Sequence, residues 1–186
     1  MNESVLMMMN KLYRWRVRAS FIGLILAIIL AKPSLRSISV GLAIFLWGLG
    51  LRAWACGHIR KEKELTVSGP YQYTRNPLYL ANFIIGVSVA MASNSWWVAG
   101  IFAVYFLLFY PLALKREKEK MIALFPEEYE KYKKKVPLFF PSFKHYLGLH
   151  SHRFSFQLYL NNREYRALLG GLIFWLAMIL KFVFMK

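Results

Sequence analysis

Apolar and polar positions alternate along this chain in long blocks. Apolar runs cover about Val17 to Ala31, Ile38 to Cys56, Pro77 to Met91, Trp96 to Leu114 and Ala167 to Phe184. A helix rises 1.5 Å per residue, so roughly 20 apolar residues cross a bilayer. The blocks predict an all-α, polytopic membrane protein with five transmembrane helices and a cytoplasmic helical region. The first run is short and would tilt little or borrow residues from the segment before it. Lys32-Pro33 stops it, and Ser34 to Ser37 form a brief turn. Glycines 41, 48 and 50 along the second run allow close helix approach in lipid. Pro111, near the end of the fourth run, predicts a kink there.

The polar stretches differ from one another. Residues 1–18 carry Lys11, Arg14, Arg16 and Arg18 with Tyr13 and Trp15 between them, an interfacial lead-in with charges among head groups. Residues 58–68 are a charged connector. The turn at 92–95 has no charge. Residues 115–125 read as a charged helix with one apolar stripe, on which Glu117, Met121 and Leu124 share a face. Pro126 suits the first turn of a second short helix carrying Tyr129 and Tyr132. Val136 to Pro141 is a proline-bounded end piece. This divides the chain into 1–37, a lead-in with the first span; 38–141, a core of three spans plus cytoplasmic helices; and 142–186, a polar connector with an additional span.

Composition agrees with membrane residence: 58% of the 186 residues are apolar, 18% are charged, and mean hydropathy is +0.36. Net charge is +16. In a soluble chain that would point to nucleic acid. Here the positive residues gather at the ends of apolar runs, which fits anionic lipid head groups and excludes nucleic acid as the expected partner. The N-terminus and the regions 52–76 and 115–165 are the basic ones, so they share the inner side. Parity then puts the N-terminus inside and the C-terminus outside. The first run lacks a cleavage pattern and is expected to be retained, in a prokaryotic plasma membrane with the site facing the cytoplasm. Cys56 stands alone, as packing within a helix end. His58 is expected to be a satisfied interfacial residue. His145, His150 and His152 lack the number and spacing of metal ligands, so no metal site is expected. Arg52 either snorkels to the interface or faces an internal polar cavity, and the sequence leaves both open.

Turn, charge and helix-start signals coincide in one stretch, Gly69-Pro-Tyr-Gln-Tyr-Thr-Arg-Asn-Pro-Leu-Tyr79. Gly69-Pro70 punctuates the backbone, Asn76 is a good cap, and Pro77 suits the first helical position. Free amides around Leu78 and Tyr79, the positive end of the helix dipole and Arg75 together make a place for a carboxylate or other anion. Glu117 lies on the same side and joins the same layer. Nucleotide-binding glycine turns, a serine elbow and a zinc helix are all missing, which speaks against a hydrolase.

Gly69-Pro-Tyr-x-Tyr-x-Arg75-Asn-Pro77-x-Tyr79, then Glu117, Phe125-Pro-Glu-Glu-Tyr129-x-x-Tyr132 and Val136-Pro137, resembles the isoprenylcysteine carboxyl methyltransferase family of integral-membrane enzymes and their relatives, the phospholipid N-methyltransferases. The likeness covers roughly residues 38–141. It implies S-adenosyl-L-methionine as methyl donor, a cytoplasmic cofactor pocket, and a lipid-facing opening for a lipophilic methyl acceptor. It implies catalytic roles for Arg75 and Glu117, and Arg116 is a further catalytic candidate as a clamp on a carboxylate acceptor. Cofactor contacts are implied from Gly69, Tyr71, Tyr73, Asn76, Pro77, Leu78, Tyr79, Glu117 and Tyr129. Asn76 stands where the family carries histidine, Lys118 where it carries a second glutamate, and Pro126 where it carries glycine. Methylation of an isoprenylcysteine-like carboxylate leads, with a phospholipid amine or a catalytically inactive membrane subunit as alternatives. Oligomeric state is left open.

Overall fold

The computed structural model describes residues 3–60, 64–142, 144, 146 and 152–185, with side chains from Trp15 onward. Every regular element among them is a helix. In chain order these are α1 (Glu3–Leu30), α2 (Leu35–Cys56), a 3-10 turn (Gly69–Gln72), α3 (Pro77–Ser93), α4 (Trp96–Leu124), α5 (Pro126–Lys133), α6 (Phe156–Asn161) and α7 (Tyr165–Phe184). Helices α2, α4 and α7 are long and apolar enough to cross a membrane, and α3 is a shorter apolar helix of 17 residues.

The basic lead-in and first apolar run form one continuous helix, α1, rather than two pieces. No glycine or proline interrupts it before Gly23, and its tryptophan and arginines are compatible with a helix. Likewise α4 runs unbroken through Pro111 and carries the charged face of residues 115–124 with it. The missing proline amide leaves one carbonyl a turn earlier without its ladder partner, a loss a long helix absorbs.

Helices α2 and α3 pack most closely. A Cβ on Gly41 would stand 2.8 Å from the Ala92 Cβ and 2.9 Å from the Ser88 carbonyl, and one on Gly48 would meet Ile84 and Ile85. Glycine at these positions is what lets the two backbones touch. Ser34 and Ser37 form a reciprocal capping box that starts α2. Ser37 also donates to the Ala92 carbonyl at 3.1 Å, and the Lys32 amide to the Ser93 carbonyl at 2.8 Å. The α1–α2 and α3–α4 turns are thereby tied at one end of the bundle. A core of Ala27, Ile38, Phe45, Ala92, Val98, Phe174, Trp175 and Met178 fills the space among α1, α2, α3, α4 and α7.

Helix α7 is held by charge at both ends. Lys181 Nζ donates to the Ile28 and Ile29 carbonyls, at 2.6 and 2.7 Å, and so caps the C-terminus of α1. At the other end, Glu164 is buried at 3% exposure and accepts hydrogen bonds from Arg52 Nε and, at 3.0 Å, the Cys56 thiol. Arg52 also donates to Asn82 on α3. The arginine therefore faces the interior. Cys56 does more than pack, because its thiol helps satisfy a buried carboxylate. Asn162, on the α6–α7 turn, donates to the Cys56 carbonyl at 3.0 Å and closes the end of α2.

Candidate functional site

The loop between α2 and α3 is built to meet the segment after α4. Gly69 takes φ +59, a left-handed conformation suited to glycine, and a Cβ there would strike the His58 ring. His58 is buried and its Nδ1 lies 2.9 Å from the Trp54 carbonyl, the satisfied role expected of it. From Tyr73 to Asn76 the chain runs alongside residues 137–142. The Arg75 amide donates to the Pro137 carbonyl at 2.9 Å, the Ser142 amide to the Tyr73 carbonyl at 2.9 Å, and Thr74 Oγ1 to the Phe139 carbonyl at 2.8 Å.

Asn76 occupies the cap position of α3, but its side chain does not cap. Its amide nitrogen donates instead to the Leu138 carbonyl at 2.9 Å. Its own backbone carbonyl accepts from the Tyr79 amide at 3.1 Å, which removes Tyr79 from the expected set of free amides. Leu78 remains the amide at the helix mouth that helix geometry leaves without an intrahelical acceptor.

Helix α5 supplies the opposite wall. Glu127 and Glu128 in its first turn and Lys131 and Lys133 in its last complement its dipole. It buries Tyr129 and Tyr132 against Leu65 and Val136. Tyr132 donates its hydroxyl to the Tyr71 carbonyl. Burial holds both the Tyr132 and Tyr71 phenols above the usual tyrosine range, so each stays neutral. Arg75 Nη1 donates to Tyr129 Oη at 3.1 Å, and the guanidinium carbon lies 5.7 Å from the center of that ring. Arg75 Nε is buried and has no partner among the described residues.

These elements border an open-sided cavity of about 340 Å³ with many charged side chains around it, within the roughly 300–1,000 Å³ of small-molecule sites. Tyr71, Arg75, Asn76, Pro77, Leu78, Tyr79, Glu117 and Tyr129 all line it. Gly69, Tyr73 and Arg116 lie outside its lining: Gly69 packs on His58, and Arg116 sits on a different face of α4 from Glu117. Lys118 joins the lining, whereas Glu119 is exposed and is not among the lining residues. Arg16, Arg52 and Asn82 also reach the cavity. Nothing in the sequence marks Arg16 or Asn82 as site residues, and Glu164, which holds Arg52, does not stand out from the polar residues around it.

A second cavity, about 400 Å³ and mostly apolar, lies among α1, α3 and α4, lined by Gly23, Leu24, Ile85, Val98 and Phe102 among others. His152 Nε2 lies 2.9 Å from Glu64 Oε1 at the loop surface. Among the described residues no group of three histidine, cysteine or acidic side chains comes together as a metal site. His145 and His150 lie outside the described residues.

Residues 38–128 match the phospholipid methyltransferase family. This segment is thus similar to membrane methyltransferases of the phospholipid and isoprenylcysteine type, and α2, α4 and α7 have the length and apolar character of membrane spans. Three curated relatives match parts of it. The nickel-cobalt-cadmium resistance protein NccN of Alcaligenes xylosoxydans xylosoxydans is 37% identical over 48% of this chain and 43% of its own length. The cobalt-zinc-cadmium resistance protein CzcN of Cupriavidus metallidurans is 33% identical over 52% of this chain and 45% of its own. The protein-S-isoprenylcysteine O-methyltransferase of Schizosaccharomyces pombe is 29% identical over 41% of this chain and 33% of its own. The matched stretches thus span less than half of each relative. No solved structure gives a significant match.

Proposed function

We propose that the protein is an S-adenosyl-L-methionine-dependent methyltransferase whose acceptor is lipophilic and reaches the site from the bilayer. The leading acceptor is the carboxylate of an isoprenylcysteine-like compound. The observation that carries the reading is that Arg75, whose buried Nε has no partner among the described residues, lines the same cavity as Glu117. A buried guanidinium N–H calls for an acceptor, for which an anion is the strongest choice, and a nearby carboxylate suits an ammonium. One small molecule bearing both charges satisfies the two at once. Arg75 and the Leu78 amide would hold the carboxylate of the methionine moiety, Glu117 its ammonium, and the rings of Tyr71, Tyr79 and Tyr129 its aromatic and sulfonium parts. When bound, this group supplies an electrophilic methyl. The chain's own contribution is to align and desolvate, since an in-line displacement gains most from held geometry.

The apolar cavity beside the polar one provides room for a hydrocarbon tail. Five spans, with α1 and α3 completing the crossing, and a cytoplasmic site complete the reading. The lysine-rich ends of α4 and α5 would then rest on anionic head groups. Incubating the purified protein with methyl-labeled donor, total membrane lipids and small prenyl-thiol acids tests it, with products identified by mass. Labeled ester from a prenyl-thiol acid is the expected result, and labeled phospholipid amine would move the acceptor to the N-methylating branch. A non-enzymatic subunit is the second reading. It draws on Lys118, on the Asn76 amide tied to Leu138, and on two relatives named for metal resistance. Calorimetry with S-adenosyl-L-methionine separates the two, because a subunit without activity has no need of micromolar donor binding.

A further inference from the structure

The polar and apolar cavities share Arg16, Tyr79 and Asn82 in their linings. A molecule whose tail lies in the apolar cavity therefore brings its polar end past these three side chains to reach the polar one. Arg16 is the one charged residue among the described lining of the apolar cavity. Its position is set from two sides. Nη1 donates to Tyr79 Oη at 3.4 Å, with the guanidinium carbon 5.8 Å from the center of that ring. The Arg16 backbone carbonyl accepts from Tyr105 Oη at 3.4 Å. Acidic side chains are found only in the polar lining, at Glu64 and Glu117.

We infer that Arg16 is a specificity-determining residue that holds the anionic group of a lipophilic acceptor at this junction, so that α1, outside the family-matched segment, forms part of the acceptor site. The inference rests on the methyl-transfer reading and narrows it to an anionic acceptor. The junction offers a carboxylate a guanidinium and two neutral hydrogen-bonding groups. It offers a protonated amine a like charge, while Glu117 in the adjoining cavity is given in this reading to the donor's own ammonium. The transfer balances without a proton: a carboxylate oxygen–carbon bond forms, the sulfur–methyl bond breaks, and its electron pair stays on sulfur. The ester product is neutral. It loses its attraction to Arg16, which favors release back into the bilayer. Because the contact is with the ground-state anion, Arg16 is expected to govern KM more than kcat.

The test uses the full chain in detergent or nanodiscs, N-acetyl-S-farnesylcysteine as acid probe, and farnesylamine as amine probe. Binding of the acid is measured without donor, and turnover separately. Arg16→Gln should weaken acid binding and raise its KM about tenfold or more, with kcat and donor affinity little changed. Arg16→Lys should recover most of the loss. Arg18→Gln, on the same helix but in neither lining, should match the parent. The parent should not methylate farnesylamine. Unchanged acid binding in Arg16→Gln, or amine methylation that rivals the acid, would overturn the inference. Acid binding that depends on Arg16 in a protein with no donor binding would instead sink the methyl-transfer reading and leave the anion site standing.

Discussion

Arg75 and Tyr129 are 54 residues apart in the chain, yet the guanidinium of one donates to the hydroxyl of the other at 3.1 Å and leans over its ring. That contact joins the mouth of α3 to the short helix after α4 around one cavity. It orients the guanidinium, leaving Nε without a protein partner among the described residues.

Removing the phenol should loosen this orientation without removing the charge. Tyr129→Phe is expected to weaken S-adenosyl-L-methionine binding about fivefold, the worth of roughly 1 kcal/mol. Arg75→Ala should abolish methyl transfer in a protein that remains folded. Calorimetry and circular dichroism on the same samples check both, and parent-like donor affinity in folded Arg75→Ala would remove Arg75 from the site.

Glu117 and Glu119 form an internal comparison on one helix. Glu117 lines the cavity and Glu119 is exposed. Glu117→Gln keeps the shape and removes the charge, so donor affinity should fall about tenfold or more, as for a lost hydrogen bond between charged groups. Glu119→Gln should change nothing measurable. Equal effects from the two substitutions would mean that general surface charge, and not a site carboxylate, is being read.

The Arg52–Glu164 pair predicts a stability pattern. Glu164→Ala removes the counterion of Arg52, which keeps only its bond to Asn82, and should destabilize by about 1–3 kcal/mol. The double variant Arg52→Met, Glu164→Leu should recover much of that loss, because two apolar side chains need no partners. Thermal unfolding in detergent reads both, and additive losses in the double variant would show that the pair does not act as a unit.

The α2–α3 contact predicts opposite outcomes for two glycines. Gly41→Ala forces a methyl to within 2.8 Å of Ala92 and should cost about 1–3 kcal/mol. At Gly50 an added methyl would meet nothing within 4 Å, so Gly50→Ala should be neutral or gain up to about 1 kcal/mol of helix propensity. Thermal unfolding of the two variants beside the parent checks the contrast.

The buried phenols set an alkaline limit. Tyr71 and Tyr132 have raised folded-state values, so between pH 10 and those values the folded protein holds protons that the unfolded chain has released. Their contribution is complete below pH 10, the ordinary tyrosine value, and declines as pH rises above it. Tyr132→Phe should be less stable at pH 8, having lost its bond to the Tyr71 carbonyl, yet decline less steeply above pH 10. Chemical denaturation across pH follows the slope.

The Gly69–Tyr79 stretch and Glu117 could be read from the chain because each combines residues with narrow uses: a proline at a helix start, a turn glycine, a carboxylate beside an apolar stripe. Their meeting followed from parity of the apolar runs. What could not be read depended on partners far along the chain. Glu164 looks like an ordinary polar residue before an apolar helix, and its partner Arg52 lies 112 positions earlier. Asn76 carries the signal of a cap, but the Leu138 carbonyl, 62 residues away, competes for its amide and wins. A row of arginines before an apolar run usually belongs among head groups, and only the packing of α1 against α3 and α4 turns Arg16 inward.

Glu164 sits at the threshold of α7, so the final helix works as a neutralizing stopper for the middle of the bundle. Expression vectors trimmed to the recognizable catalytic stretch would leave Arg52 without its carboxylate, bonded only to Asn82 beside the cavity, and a charge inside the bundle that has lost its counterion is costly. Such a fragment would be expected to aggregate or draw lipid phosphate inward, and to fail biochemically for reasons unrelated to its methyl-transfer residues.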